Sequence, residues 1–184
     1  MRFKRTRRGI EAKIEQVEAV ILAQCASELL SLLGDSEEVP DDPIEAMVGL
    51  STGAVRTPED PALARLLPDA YGDDPAAASD FRRYTEADLR AGKRASASSV
   101  LAALQPLLAD GGKLSLDRDD ADAWLWWLND IRLVLGTRLD VTEDTFDEGD
   151  LDQDDPRAHI TAIYGWLGWL QESLISCLEP RSVT

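Results

Sequence analysis

ADAWLWWLNDIRLVLGTRL, residues 121–139, is the stretch that decides the fold of this chain. At about 100° per residue, Trp126 and Leu133 fall on one side of this predicted helix. The opposite stripe carries Trp124, Leu128, Ile131, Leu135 and Leu139. A helix with two apolar sides is either the central helix of an α-helical bundle or a surface helix that presents tryptophan to a partner. We favour a central helix with Trp126 packed under short helices of residues 43–84, because a chain of this length can surround one helix.

Length and composition predict one helical domain that spans residues 1–184. The hydrophobic share is 44% and the chain has five tryptophans, which is enough for a sizeable core. The net charge of −16 makes the protein acidic, so that it repels nucleic-acid backbones and attracts basic partners. The two cysteines match no zinc or thioredoxin spacing, and no run of about 18 uncharged apolar residues occurs. We therefore expect a cytoplasmic protein that does not enter a membrane.

The N-terminal residues predict a small antiparallel sheet. Residues 1–14 alternate apolar and polar side chains on either side of Gly9, which is typical of a β-hairpin. A lone hairpin is only marginally stable, so we expect residues 113–116, after Gly111 and Gly112, to add a third strand.

Helical periodicity and capping residues predict the first helices. A strong amphipathic helix covers residues 15–33 and ends at Gly34. Between residues 35 and 84, three aspartates each precede a proline, which combines an N-cap acceptor with a residue suited to the first helical position. We expect a short helix to begin at each of them: Asp42, Asp60 and Asp74.

The second half of the chain predicts three longer helices. Thr85 opens a capping-box sequence, so a long helix is expected from there to about residue 109, with a break at Pro106. Asp117 caps the tryptophan helix, residues 140–155 form an acidic loop, and Pro156 opens a last helix to about residue 178. The predicted fold class is mainly α, a bundle of about three long and three short helices with a small antiparallel hairpin or three-stranded sheet.

The last helix has one predicted buried stripe. Two glycines on the neighbouring turn, Gly165 and Gly168, leave room for the close approach of another helix, and we expect this to be the tryptophan helix. The stripe itself consists of Ile160, Ile163, Leu167, Leu170, Leu174 and Cys177.

Three sequences that suggest chemistry have simpler explanations. Residues 49–53 read GLSTG, the pattern of a nucleophile elbow, but a helix precedes them where the elbow needs a strand. His159, the only histidine, falls in the first turn of the last helix, where a solvated imidazole is expected. Residues 150–155 begin like an EF-hand loop and then lack its glycine and its final glutamate. We expect no enzymatic activity, no metal site and no cofactor.

Two basic clusters and two cysteines complete the list of candidate residues. The clusters lie in residues 1–13 and 82–94, and pairing with the acidic loop explains them better than nucleic-acid binding does. Cys25 and Cys177 lie on or beside apolar helical stripes, which favours buried, inert thiols over a redox role.

Four separated runs of sequence resemble one known family. They read PEDPALARLLPDAY at 58–71, FRRYTEADLRAGK at 81–93, LNDIRLVLGTRLDV at 128–141 and YGWLGWLQESL at 164–174. In this order they resemble the actinobacterial oxidative-stress regulator (AosR) family, long catalogued as a domain of unknown function. The resemblance covers nearly the whole chain.

The resemblance implies a non-enzymatic cytoplasmic regulator of transcription that works with a stress sigma factor. It also implies a redox sensor made of a closely spaced cysteine pair near the N-terminus, where this chain has arginines and no cysteine. Protein-partner binding is therefore the part of the function that we expect to carry over.

The candidate partner-binding residues are aromatic, apolar or cationic side chains of the last two helices. They are Trp126, Leu133, Arg132, Arg138 and Trp169, and the candidate redox residues are Cys25 and Cys177. Alternative interpretations are a structural homodimer or adaptor with no redox role, and an unrecognised enzyme of sulfur metabolism.

Overall fold

The computed structural model describes residues 1–7, 9–34, 57–71, 74–142, 155 and 157–179. Within these residues, five α-helices pack with a three-stranded antiparallel sheet, which confirms the predicted mainly α fold class. A 3-10 helix, Gln105–Leu107, follows the long α-helix at the position where Pro106 predicted a break. The strands are β1 (Phe3–Thr6), β2 (Gly9–Ile14) and β3 (Gly112–Leu116), and the helices are α1 (Gln16–Leu33), α2 (Pro61–Leu66), α3 (Pro75–Leu104), α4 (Arg118–Arg138) and α5 (Ala158–Leu178).

The sheet has the order β1-β2-β3, so the hairpin and its predicted third strand are both confirmed. Ala12 pairs with Phe3 on one side and with Leu114 on the other, and all three side chains are buried. Gly111 makes the turn into β3 with φ of 66°, and a Cβ there would lie 2.5 Å from the carbonyl oxygen of Ile14. Only glycine fits this position, because it needs a positive φ and no side chain.

Helix α1 begins and ends as predicted. Glu15 and Glu18 form a capping box at its start, and Gly34 ends it with φ of 68°. By length and composition alone this helix resembles a membrane span. Seven of its residues are buried in the domain, where α1 packs along α3, and a core helix has the same composition.

Helix α3 corrects the prediction of a short helix at Asp74 and a separate long helix from Thr85. The Asp74 carboxylate accepts hydrogen bonds from the backbone N–H groups of Ala76 and Ala77, and the helix then continues without a break to Leu104. Thr85 does not act as a cap, because its hydroxyl donates to the carbonyl of Phe81. The structure therefore has four long helices and one short one in its described part.

The N-caps of the other helices follow the prediction where the structure describes them. Asp60 accepts from Ala62 and Leu63 at the start of α2, and Asp117 caps α4. Asp42 lies outside the described residues.

Helix α4 is the centre of the packing and contacts the other four helices and the sheet. Trp124 and Trp127 are fully buried, and their rings meet edge to face with centroids 5.6 Å apart. Phe3 of β1 meets Trp124 in the same way at 5.7 Å. The tryptophans thus join the helices and the sheet into one core.

Candidate protein-interaction surfaces

Trp126 is the side chain that most clearly lacks a place in the core. It is 66% exposed, although Trp124 and Trp127 on the same helix are fully buried. Leu133, two turns further along the same side, is partly buried against the core. The prediction that Trp126 packs under short helices is therefore wrong. The core lies on one side of α4, where Trp127 is buried beside the stripe that contains Trp124 and Leu128.

Arg132 belongs to the contact between α4 and α5. Its guanidinium donates to the side-chain oxygen of Gln171 at 2.6 Å and lies 5.2 Å from the centre of the Tyr164 ring. A Cβ on Gly168 would meet this guanidinium at 3.5 Å, and a Cβ on Gly136 would meet the Tyr164 ring at 3.4 Å. The predicted close approach of the last helix to the tryptophan helix is confirmed at Gly168. The guanidinium of Arg132 fills the space next to Gly168, so the main contacts of Arg132 lie within the domain.

Arg138 is also engaged within the domain. Its guanidinium lies 2.5 Å from the carboxylate of Asp60, the N-cap of α2. This hydrogen bond is the main reason why the pKa of Asp60 is lowered. Arg138 therefore attaches α2 to the end of α4.

Trp169 lies beside a cationic surface that we call the cationic sheet face. This face is the outer side of the sheet, and its charged side chains are Arg2, Lys4, Lys13, Lys113 and Glu11. Together with Trp169 it lines an open cleft of about 800 Å³. The face has four cations against one carboxylate, although the whole chain carries −16. Of the five candidate partner-binding residues, only Trp126 and Trp169 are thus largely exposed and without an intramolecular polar role. Trp169 lines the cleft and Trp126 does not.

A charge network around the buried Arg82 lies at a smaller pocket of about 260 Å³ between α3 and the segment after α2. The guanidinium of Arg82, only 5% exposed, donates to the carboxylates of Asp69 and Glu86 at 2.6 Å and to the carbonyl of Leu67 at 3.0 Å. The hydrogen bond from Arg82 lowers the pKa of Asp69. The sequence placed Arg82 in a basic cluster, yet its charge is already paired inside the domain.

Lys93 and Asp130 form a second buried pair that the sequence analysis missed. The Lys93 ammonium lies 2.6 Å from the carboxylate of Asp130, which is 2% exposed, and the pair joins α3 to α4. The available signal was an aspartate on the side of α4 that adjoins Trp127 in a helical projection. Its partner is 37 residues away, so spacing alone could not identify it.

Both cysteines are buried and free, with exposures of 7% for Cys25 and 8% for Cys177. Burial raises the pKa of Cys25 to about 11, and the nearby charge of Glu28 adds to the increase. Burial also raises the pKa of Cys177, against a smaller opposite effect of Arg5. These surroundings keep both thiols protonated, and the protonated form is the unreactive one.

The other sites considered in the sequence give no catalytic geometry in the described part of the chain. His159 is exposed in the first turn of α5, as a solvated imidazole would be. Among the described residues, no group of three or more histidine, cysteine, aspartate or glutamate side chains is placed to hold a metal ion. The GLSTG sequence at 49–53 and the acidic residues 143–154 lie outside the described ranges.

Comparisons with known proteins give one consistent result. A family model described as a domain of unknown function, DUF2017, matches residues 1–178. Proteins named oxidative stress regulator AosR from Mycobacterium bovis and Mycobacterium tuberculosis are 34% identical over 175 residues, which is 88% of this chain and 78% of theirs. A putative oxidative stress regulator AosR from Mycobacterium leprae is 32% identical over the same length. No solved structure matches this chain significantly.

Proposed function

The chain belongs to the DUF2017 family, and on this basis we propose that it is a cytoplasmic, non-enzymatic regulator of the oxidative-stress response that acts by binding another protein. The names of its relatives support a regulatory role. The single observation that carries protein binding is the exposure of Trp126.

The setting of Trp126 suits a binding hot spot. Tryptophan is enriched among the residues that dominate binding energy in protein interfaces. Here the neighbouring Trp124 and Trp127 are fully buried and fix the backbone of α4. The backbone that carries the exposed indole is therefore fixed before a partner arrives, which lowers the entropy lost on binding.

We take a stress sigma factor as the partner, because the family resemblance implies one. The charge of −16 favours a basic protein surface over direct contact with DNA, so the effect on transcription would be exerted through the sigma factor. The buried cysteines, with their raised pKa values, support regulation that does not depend on their oxidation.

The test is titration calorimetry of the purified protein with a purified stress sigma factor from the same organism. We expect Trp126→Ala to weaken binding at least about tenfold, as hot-spot truncations do. Tyr84→Ala is the matched control, since Tyr84 on α3 is 62% exposed and aromatic. Equal affinities of wild type and Trp126→Ala, or no binding to the sigma factor, would contradict the proposal.

Two further measurements separate the alternatives. Light scattering that shows a wild-type dimer and a Trp126→Ala monomer would assign the tryptophan to a homodimer instead. A gel shift with double-stranded DNA that persists at ~200 mM salt with competitor DNA would contradict indirect action, because purely electrostatic binding weakens steeply with salt.

A further inference from the structure

We propose that the cationic sheet face and Trp169 form a second binding site, which takes an acidic segment of a partner protein that also carries an apolar side chain. This site is separate from the Trp126 surface. It can therefore fail or succeed independently of the proposed function.

The strand register concentrates positive charge on this face. Lys13 and Lys113 are directly opposite each other on β2 and β3, and like charges in that position destabilise a sheet. Lys4 lies opposite Glu11, whose carboxylate is 2.9 Å from the ammonium of Lys113. Among the described residues, one carboxylate thus serves a face with four cations, and this surplus of positive charge favours a bound anion.

Trp169 gives the site its apolar part. It projects from α5, the helix that packs against β1, and it is 44% exposed at the border of the cleft. The cleft volume of about 800 Å³ lies in the range of ligand sites that hold several side chains. An indole beside cations suits an acidic segment with one apolar side chain, because the two kinds of contact lie next to each other.

The charge distribution favours a short acidic segment over a nucleic acid. DNA carries one negative charge per about 1.7 Å and would extend beyond the face onto the acidic remainder of the molecule. Acidic residues are close in sequence to those of the site: Glu15 follows β2, and Glu172 is three positions from Trp169 on α5. A short peptide can stay within the cationic area and avoid them.

Fluorescence anisotropy with a labelled oligo-glutamate peptide that has one central leucine tests the site. The same peptide with glutamine in place of glutamate is the neutral probe, and an oligo-thymidine of equal length is the nucleic-acid probe. We expect the acidic peptide to bind best and to lose affinity as salt rises, since salt screens exposed charges.

Two double variants of equal charge change distinguish a local site from overall charge. Lys4→Glu with Lys13→Glu should weaken peptide binding about tenfold or more. Arg65→Glu with Arg157→Glu, which changes exposed residues outside the cleft, should weaken it less than about twofold. Trp169→Ala should weaken the leucine-containing peptide and leave an all-glutamate peptide nearly unchanged.

Several results would overturn the proposal. They are absence of peptide binding, an equal loss in both double variants, and tighter binding of oligo-thymidine than of the acidic peptide. Circular dichroism and thermal melts of each variant confirm that it is folded before its affinity is compared.

Discussion

Replacing Trp124 or Trp126 by alanine should separate the structural and the binding side of α4. Trp124 is fully buried and meets the Phe3 and Trp127 rings edge to face. Truncation of a buried aromatic residue typically costs ~3–5 kcal/mol, and each lost ring pair adds ~0.5–1.5 kcal/mol. The Trp124 indole N–H has no hydrogen-bond partner among the described residues. Removing this buried, unsatisfied group is favourable and offsets part of the loss in stability. We expect a net loss of about 4 kcal/mol.

Trp126→Ala should cost far less. About a third of this side chain is buried, and full burial of an aromatic side chain is worth roughly 1.5–3 kcal/mol, so the expected loss is below about 1 kcal/mol. For a chain of this size, 1 kcal/mol corresponds to a change of about 2–4 °C in the melting temperature.

Thermal melts followed by circular dichroism measure both changes. Trp124→Ala should lower the midpoint by about 8–16 °C, and Trp126→Ala by a few degrees at most. Trp124→Phe is the control. It keeps an aromatic ring in the core, so it should lower the midpoint by an amount between those of the two alanine variants. If Trp124→Ala and Trp126→Ala lower the midpoint equally, the inference that only one side of α4 faces the core is refuted.

Three further predictions concern buried and paired groups. Asp130→Ala should cost about 3–5 kcal/mol in a urea melt, because it leaves the Lys93 ammonium, whose side chain is only 15% exposed, without its partner. Lys93→Met combined with Asp130→Leu should recover most of the loss, and a loss below about 1 kcal/mol for Asp130→Ala would contradict this. Because burial raises the pKa of Cys25 to about 11, alkylation of this thiol in the native protein should be slow at pH 8 and should accelerate as the pH rises towards 11. Unfolding in guanidinium should make the alkylation fast at pH 8. Mass mapping that shows rapid formation of a Cys25–Cys177 disulfide in mild peroxide would refute the inference that the thiols are inert. The carboxyl of Asp60 has a lowered pKa in the folded state, so its contribution to stability is present above pH 3.8 and is lost as the pH falls through the folded value. Asp60→Asn should therefore make the acid denaturation curve shallower. Identical curves for wild type and variant would show that the Asp60–Arg138 ion pair does not contribute to acid denaturation.

The elements that the sequence predicts well are those with local signals. The hairpin follows from alternation around Gly9, and α2 and α4 follow from the caps Asp60 and Asp117. Each of these signals lies within the element it predicts or directly before it, so no knowledge of the tertiary structure is needed.

The errors arose where two local signals compete or where the answer depends on distant residues. Asp74 and Thr85 both resemble helix starts, and the structure uses only Asp74, because the intervening residues continue as one helix. The side of α4 that is buried depends on where the neighbouring helices lie, so the sequence could not decide whether Trp126 faces the core or the solvent. The contacts of Arg132 with Tyr164 and Gln171 form only when α5 packs against α4, so the sequence of α4 alone could not predict them.

The sheet order has a consequence for synthesis on the ribosome. The hairpin leaves the ribosome before the helices that follow it, and its partner strand β3 comes about a hundred residues later. At translation rates of about 5–20 residues per second, the hairpin waits roughly 5–20 s for β3 and longer for α5, whose Ser173 contacts the edge of β1. During this time both hairpin edges are open, and open edges pair with other chains. Lys4 and Lys13 place a positive charge on each strand of the hairpin, and charged side chains on open strands disfavour pairing with another chain during this interval.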